Sequence, residues 1–511
     1  MKQKRFFGWL VAGLLTFGFT SCSDDDVTAG EDNNEQAKAY FQLSIATGNE
    51  VSPTESRGDA GDAEDSGTYN DGTEAEYAVT TAYVYFFKGD NLAETYSLTN
   101  FTTSSESEDE DYNAKKEIIY TSKSETVATG TYKIAVLVNQ NLTSTITTLE
   151  DFKHATATLG NGYTTTMQEG HMPMSSRMIE SEKGVIYKEV TLTTDNTKNN
   201  PLQLNMDVER SYAKIQLTAG SNNSNLNEYD VNITPSNKIA TVELINYKLK
   251  NLTTSYYAFR HVGTGTSLST WAEDCFGKIT ATNKYVIEPS TDVSQKINLE
   301  EMDYTPMPTN NPAAIYCLEN TMLSDQQKKQ YVTAVVFKAT VTPTKIYKTG
   351  ESSAVGWNEI NPSDFTNVYY YNDEFFQDLV TLKANRGLGA EVIEDGDNPS
   401  TTETETNYSN LLDYGIYKYA ADGSNPRVCY YTYYIKHQDN KKEGDMGVME
   451  YAIVRNNYYK LKVTGVSLPG DTEEGIGGGE DVELEEAYIM VTLDVQPWIV
   501  RAQENINLGP Q

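Results

Sequence analysis

Few residues in this chain have the types and spacing that chemistry needs. The four histidines, His154, His171, His261 and His437, are scattered and make no metal-ligand spacing. There is no phosphate loop, zinc motif, Gly-x-Ser-x-Gly elbow or Cys/His pairing, so no catalytic residue, metal or cofactor is expected. With 73 Asp and Glu, acid pairs suited to glycoside hydrolysis abound, yet nothing selects one pair. Two residues do stand out. Cys22 ends a segment with a basic start (Lys2, Lys4, Arg5), an apolar stretch from Phe6 to Phe19, and the small Thr20 and Ser21. That is the layout of an export signal, too short for a membrane span of about twenty residues. Arg57 is the one basic residue between Gly48 and Tyr77, in a Gly-, Ser- and acid-rich stretch of the kind where proteolytic nicking concentrates. Arg57-Gly58-Asp59 also spells an integrin tripeptide, which three residues reach easily by chance.

Composition narrows the class. A chain of 511 residues suits two domains, each large enough for its own core. The formal net charge of −33 argues against nucleic acid and against a polybasic membrane contact, and suits a self-repelling surface protein. Of the four cysteines, Cys275, Cys317 and Cys429 remain if Cys22 is modified, so at most one disulfide can form. The 36 tyrosines, with abundant Thr and Val, give a β-rich composition. The acidic run Ser104 to Asp111 lacks the ligand spacing of a calcium loop and reads as a solvated turn.

The elements that position Cys22 and Arg57 are strands. Ser23 to Glu35 is a polar tether, after which Ala39 to Ala46 alternates, with Phe41, Leu43 and Ile45 on one face. The loop from Gly48 to Tyr77 separates this strand from the body. Val79 to Phe87, Thr131 to Val138, Lys188 to Leu192, Ala240 to Leu249, Val332 to Val341, Val428 to Ile435 and Tyr451 to Val466 also read as strands. Leu149 to Leu159 reads as a short helix, and a domain boundary is placed near Asn205. Strands separated by turn signals predict a mainly β chain of two antiparallel β-sandwich domains in tandem, with long loops and few short helices. At the end, Pro469 to Asp481 is a Gly-rich acidic linker. It is followed by an alternating strand whose Ile489, Val491, Leu493 and Val495 share a face before Pro497 and Trp498. The linker is expected to let that strand pair outside its own domain.

The segment ending at Cys22 resembles a bacterial lipobox, and Ser23-Asp24-Asp25-Asp26 resembles the acidic tag that directs Bacteroidia lipoproteins to the outer surface. Further along, Val208-Glu209-Arg210-Ser211, Met172-Pro173-Met174-Ser175, the run Val454-Arg455-Asn456-Asn457-Tyr458-Tyr459-Lys460-Leu461-Lys462-Val463 and the closing Val491-Thr492-Leu493-Asp494-Val495-Gln496-Pro497-Trp498 resemble motifs of the type V fimbrillins of Bacteroidia. They are most similar to the major shaft subunit of the short, or minor, fimbriae. The resemblance runs end to end in order, and is dense only in the last hundred residues.

The resemblance implies a transthyretin-like fold for both sandwiches and a division into signal peptide (1–21), acylated propeptide with the first strand (22–57), N-terminal domain (58–206), C-terminal domain (207–468), and linker with donor strand (469–511). It implies that Cys22 is lipidated and holds the precursor at the outer membrane. An arginine-specific or trypsin-like protease would then cut between Arg57 and Gly58 and release the strand of Phe41, Leu43 and Ile45. The strand of Ile489, Val491, Leu493, Val495, Pro497 and Trp498 would replace it in a neighbouring subunit. A head-to-tail homopolymer follows, a surface fimbria that supports adhesion and biofilm, with accessory tip and anchor subunits as further partners. Heterologous donation of this kind does not close into a ring. Two alternatives stay open: an accessory tip or anchor subunit, and a monomeric surface lipoprotein that binds glycans or host ligands. The second would use the aromatic clusters Tyr369-Tyr370-Tyr371 with Phe375-Phe376 and Tyr430-Tyr431 with Tyr433-Tyr434, which read more simply as cross-strand pairs.

Overall fold

Two apolar cores organise the chain, each enclosed by two sheets. The computed structural model describes residues 37–47, 72–106, 117–140, 142, 146–158, 163–176, 187–264, 272–275, 283–289, 293, 296, 299–361, 363, 365, 367–392, 411–437, 441–442, 444–447, 449–475, 482 and 489–497. In the first half, one sheet runs in the order Leu202–Met206, Lys38–Thr47, Glu117–Thr121, Thr102–Glu106, and Glu125–Ala128 also pairs with Lys38–Thr47. The facing sheet runs Val208–Arg210, Met174–Ser176, Gly130–Val138, Thr81–Lys88, Asn91–Thr99, with Lys188–Leu192 also paired to Gly130–Val138. Alternation explains the enclosure, because every second side chain of a strand points to the same face. Phe41, Leu43, Ile45, Val84, Phe86, Ile134, Val136 and Leu204 are fully buried between the sheets.

The second half repeats the plan. One sheet runs Ile489–Pro497, Asn457–Val466, Ala213–Thr218, Ala313–Cys317, Tyr163–Thr164, and the other runs Glu228–Thr234, Asn237–Lys250, Ala334–Pro343, Val428–Tyr434. Ile215, Val242, Leu249, Val335, Val341, Cys429, Tyr459 and Leu461 lie in the core between them. A short lobe with its own apolar cluster, including Tyr369, Phe376, Leu379 and Leu382, is built on Val368–Tyr371, Glu374–Phe376 and the helix Leu379–Arg386. The chain is mainly β, as its composition predicts, and its described helices are short.

Several boundaries differ from the sequence expectation for local reasons. The helix beginning at Leu149 stops at Lys153, because Thr156–Thr158 is drawn into an antiparallel pair with Ser255–Tyr257. The strand expected from Tyr451 begins at Asn457, since Asn456 adopts a left-handed φ of 60° and turns the chain. The run from Val208 to Leu217 is split. Val208–Arg210 pairs with Met174–Ser176 in the first core, whereas Ala213–Thr218 is central to the second. The acidic turn expected from Ser104 is still strand to Glu106, and its remainder lies outside the described residues.

Candidate functional site

The first strand, Lys38–Thr47, fills a slot between two edges. On one side it pairs in parallel with Leu202–Met206, Leu43 opposite Leu204. On the other it pairs antiparallel with Glu125–Ala128 along its first half and Glu117–Thr121 along its second. The corner between those two strands is closed by Ser122, whose N–H donates to the Leu43 carbonyl (2.9 Å) while its Oγ accepts from the Leu43 N–H (3.0 Å). Inside, the Phe41 ring lies 4.9 Å from that of Phe86 and 5.0 Å from that of Tyr96. Burying Phe41, Leu43 and Ile45 is worth about 5–9 kcal/mol at the usual side-chain values. The strand is thus an integral part of the first core, although residues 48–71 separate it in sequence from every described strand it pairs with.

The terminal strand, Ile489–Pro497, occupies a different setting. Among the described residues it pairs with Asn457–Val466 alone and forms the edge of its sheet, Leu461 opposite Leu493. Ile489 is buried, Val491 and Leu493 are half-buried against the second core, and Met490 is 50% exposed on the other face. The alternation expected from the sequence is therefore present, on the strand's own domain. Backbone pairing continues through Val495 and Pro497, and Trp498 lies outside the described residues, as do Cys22, Arg57 and Gly58. An edge strand exposes unpaired N–H and C=O groups, which makes it the detachable position in a sheet.

The linker before it is less free than its composition suggests. Gly470 and Leu468 carbonyls accept from the hydroxyls of Tyr419 (2.8 Å) and Tyr431 (3.0 Å), and Asp471 exchanges both backbone hydrogen bonds with Tyr430. Glu474 is held by the ammonium groups of Lys248 (2.8 Å) and Lys250, and by the Tyr304 hydroxyl (2.9 Å). Burial opposes ionisation of Glu474, and these three donors outweigh it, keeping its carboxyl below the usual range. Val482 packs with Met322, Val332 and Tyr434. The glycines misled the composition argument because the anchoring partners lie far away in sequence.

The two halves are joined by a buried ion pair and the hydrogen bonds around it. The short helix Glu74–Tyr77 follows residues 48–71, and its Glu76 is fully buried. Lys214 lies 2.7 Å from Glu76 Oε1, the Tyr316 hydroxyl donates to the same oxygen, and Arg210 Nε donates to the Glu76 carbonyl (2.9 Å). Burial disfavours the carboxylate, but Lys214 and Tyr316 prevail and lower its pKa. Nothing in the acidic stretch around Glu76 marks it in the sequence. The motif from Val454 to Val463 has a physical explanation here. Arg455 is fully buried, with Nη2 2.8 Å from both Glu319 Oε2 and the Tyr257 carbonyl, and the Tyr459 hydroxyl accepts from the Val454 N–H (2.9 Å).

The first aromatic cluster resolves as cross-strand aromatic pairs, and in the second Tyr431 faces Phe337. Tyr369 faces Phe376 and Tyr370 faces Phe375, and Tyr369 and Tyr431 are 3% and 2% exposed. A glycan platform needs open ring faces, which these two do not present. Cys317 and Cys429 are free and buried, and burial pushes both thiols up to about 12. Among the described residues no three His, Cys, Asp or Glu are grouped to hold a metal, and no helix is long and apolar enough to cross a membrane.

Residues 42–206 match the family model of the major fimbrial subunit protein (FimA), and residues 425–504 match that of the major fimbrial subunit protein type IV, fimbrillin, C-terminal. No curated protein matches the chain. Among solved structures, a fimbrilin from Porphyromonas gingivalis W83 is 14% identical with a TM-score of 0.40, over 92% of this chain and 99% of that one. A candidate cell adhesion protein from Parabacteroides distasonis ATCC 8503 is 15% identical with a TM-score of 0.42, over 91% and 98%. The tip fimbrial protein Mfa3 from Porphyromonas gingivalis, truncated at its C-terminus, is 10% identical with a TM-score of 0.34, over 90% and 100%. The first family match ends with the strand Leu202–Met206 that borders the slot, the second spans Asn457–Val466 and the terminal strand, and on these two matches the chain belongs to the fimbrillin family.

Proposed function

We propose that this fimbrillin is a shaft subunit of a surface fimbria, delivered as a lipoprotein and polymerised by strand exchange. The family makes it a structural subunit that assembles with other fimbrial subunits at the cell surface. In the proposed sequence of events, lipid on Cys22 holds the precursor at the outer membrane until an arginine-specific protease cuts between Arg57 and Gly58. The acylated segment 22–57 then departs with the first strand and leaves an unfilled slot in the N-terminal domain (58–206). The terminal strand of another subunit enters it, carried on the linker beyond the C-terminal domain (207–468). Both strands present alternating aliphatic side chains, so both suit the same kind of slot.

One observation carries the reading: the first strand completes the first core from both edges, yet the chain joins it to that core only through residues 48–71, which contain Arg57. A subunit that both accepts and donates belongs in the shaft, whereas a tip or anchor subunit needs only one of the two activities. The test is to treat the purified precursor with a trypsin-like protease and follow it on gels in mild detergent. Ladders of subunit multiples are expected after cleavage at Arg57. A monomer that persists after clean cleavage there removes the mechanism.

A further inference from the structure

Outside the strands and their linker, three buried side chains meet in an arrangement with reactive chemistry of its own. Lys296 Nζ lies 2.5 Å from Glu288 Oε1 and 2.7 Å from Asn320 Oδ1. The side chains of Lys296 and Glu288 are completely inaccessible, and Asn320 is 1% exposed. Neighbouring residues Ile287, Thr321 and Thr333 are buried as well. The orientation of the Asn320 amide is fixed by its other contacts. Nδ2 faces the carbonyls of Asn251 (2.9 Å) and Tyr331 (2.8 Å) and the Thr333 hydroxyl (2.9 Å). Carbonyl oxygens only accept, so the atom facing them must be the NH2, and the amide oxygen must face the lysine. The amide group is thus held by its oxygen against an amine, with a carboxylate against that amine, and the lysine and glutamate side chains are inaccessible to solvent.

We propose that Lys296 and Asn320 become joined by an intramolecular isopeptide bond, with Glu288 moving the protons. In this reaction one proton passes from Lys296 Nζ to Glu288 Oε1, 2.5 Å away, which exposes a nitrogen lone pair. Nζ attacks Asn320 Cγ, and the protonated Glu288 hydrogen-bonds the oxygen that gains negative charge. A second proton passes from Nζ to Nδ2, the Cγ–Nδ2 bond breaks, and Nδ2 leaves as ammonia. The Nζ–Cγ bond remains as a secondary amide, and Glu288 keeps the first proton as a carboxylic acid whose O–H hydrogen-bonds the new carbonyl. An amine and a primary amide have become a secondary amide and ammonia, with no change of oxidation state and no co-reactant.

The position suits a subunit that carries tension. Asn320 exchanges both backbone hydrogen bonds with Ile453, just ahead of buried Arg455 and the strand Asn457–Val466 that holds the terminal strand. The bond would tie the segment carrying Lys296 to this part of the body. Intact-mass measurement of the full-length purified protein, followed by a tryptic map, tests the proposal. The expected result is a chain one ammonia lighter than its sequence, with a branched peptide joining the Lys296 and Asn320 segments and no cleavage after Lys296. The variants Glu288→Gln and Lys296→Arg should retain the full mass. A wild-type chain at full mass, with the two segments recovered separately, overturns the proposal. So does ammonia loss confined to a peptide containing Asn320 alone, which would be a cyclic imide. A Glu288→Gln protein that still forms the branched peptide removes the role of Glu288, and if that variant does not fold, the wild-type map alone decides.

Discussion

One sheet in each half of the molecule follows the same plan with a single change in connectivity. In the second half, Ala213–Thr218 sits centrally, parallel to Asn457–Val466 on one side and antiparallel to Ala313–Cys317 on the other. In the first half, Lys38–Thr47 holds the corresponding place, parallel to Leu202–Met206 and antiparallel to Glu117–Thr121. Both are the opening strands of their halves, and both are needed to close a core. Ala213–Thr218 follows Val208–Arg210 directly, so its chain is short and held at each end. Lys38–Thr47 is followed by residues 48–71, rich in acids and with one arginine. The terminal strand completes the contrast, since it lies outside Asn457–Val466 as an added edge. A central strand joined to its core through a single stretch of chain is costly to lose, whereas an edge strand is cheap to detach even on a pinned linker.

The largest test of that contrast puts a charge at matched positions of the two terminal strands. Leu43→Arg would place an unpaired guanidinium in a fully enclosed site, at a cost of more than about 4–5 kcal/mol, and the first core should lose its cooperative unfolding transition. Leu493→Arg, at a half-buried edge position where the long side chain can reach water, should cost about 1 kcal/mol. Urea titrations followed by fluorescence distinguish the two. Equal losses would mean that the terminal strand is as integral to its core as the first is, and the contrast would fail.

Glu76 sharpens the comparison from the far side of residues 48–71. It anchors the chain just ahead of Thr81–Lys88 through Lys214. Glu76→Gln leaves Lys214 buried without its counter-charge, an expected loss of about 3–5 kcal/mol at neutral pH. The pH dependence carries the sign. The folded-state pKa lies below the unfolded value of 4.5, so the unfolded chain binds more protons in the acid range. The stabilisation is present above pH 4.5 and is lost as pH falls through the folded pKa. Stability curves from pH 7 to pH 3 should therefore slope downward for the wild type and more weakly for Glu76→Gln. Parallel curves would show that Glu76 contributes shape and not charge.

The parts legible in the sequence were those set by local period. The alternation of Phe41, Leu43 and Ile45, and of Ile489, Val491 and Leu493, is a one-dimensional pattern, and both stretches are strands with those faces inward. The parts that were not legible depend on partners far away. Glu76 looks like any residue of its acidic surroundings until Lys214 and Tyr316 are brought to it. The linker reads as free because glycine and acid composition is local information, while Lys248, Lys250, Tyr419 and Tyr431 that pin it come from other strands. Asn456 explains the late start of its strand, because its left-handed backbone, which asparagine tolerates better than most residues, turns the chain between the buried Arg455 and Asn457.

Asp471 offers the smallest and most selective probe, because its charge acts opposite in sign to that of Glu76. Burial raises its carboxyl pKa above 3.8, and Lys329 only partly offsets this. A raised folded-state pKa means that seating of the linker is most favourable at low pH and weakens as pH rises through that value. The linker ahead of the terminal strand is therefore slightly loosened at neutral pH, where the anchor of Glu76 is at full strength. Asp471→Asn removes the charge while keeping the backbone pair with Tyr430, in which each N–H donates to the other's carbonyl at 2.8 Å. Hydrogen exchange at those two amides should slow a few-fold at neutral pH and change little in acid, where the wild-type carboxyl is already protonated. Faster exchange in the variant would mean that the carboxylate makes a contact the linker needs, and the ease of detaching the terminal strand would then rest on its edge position alone.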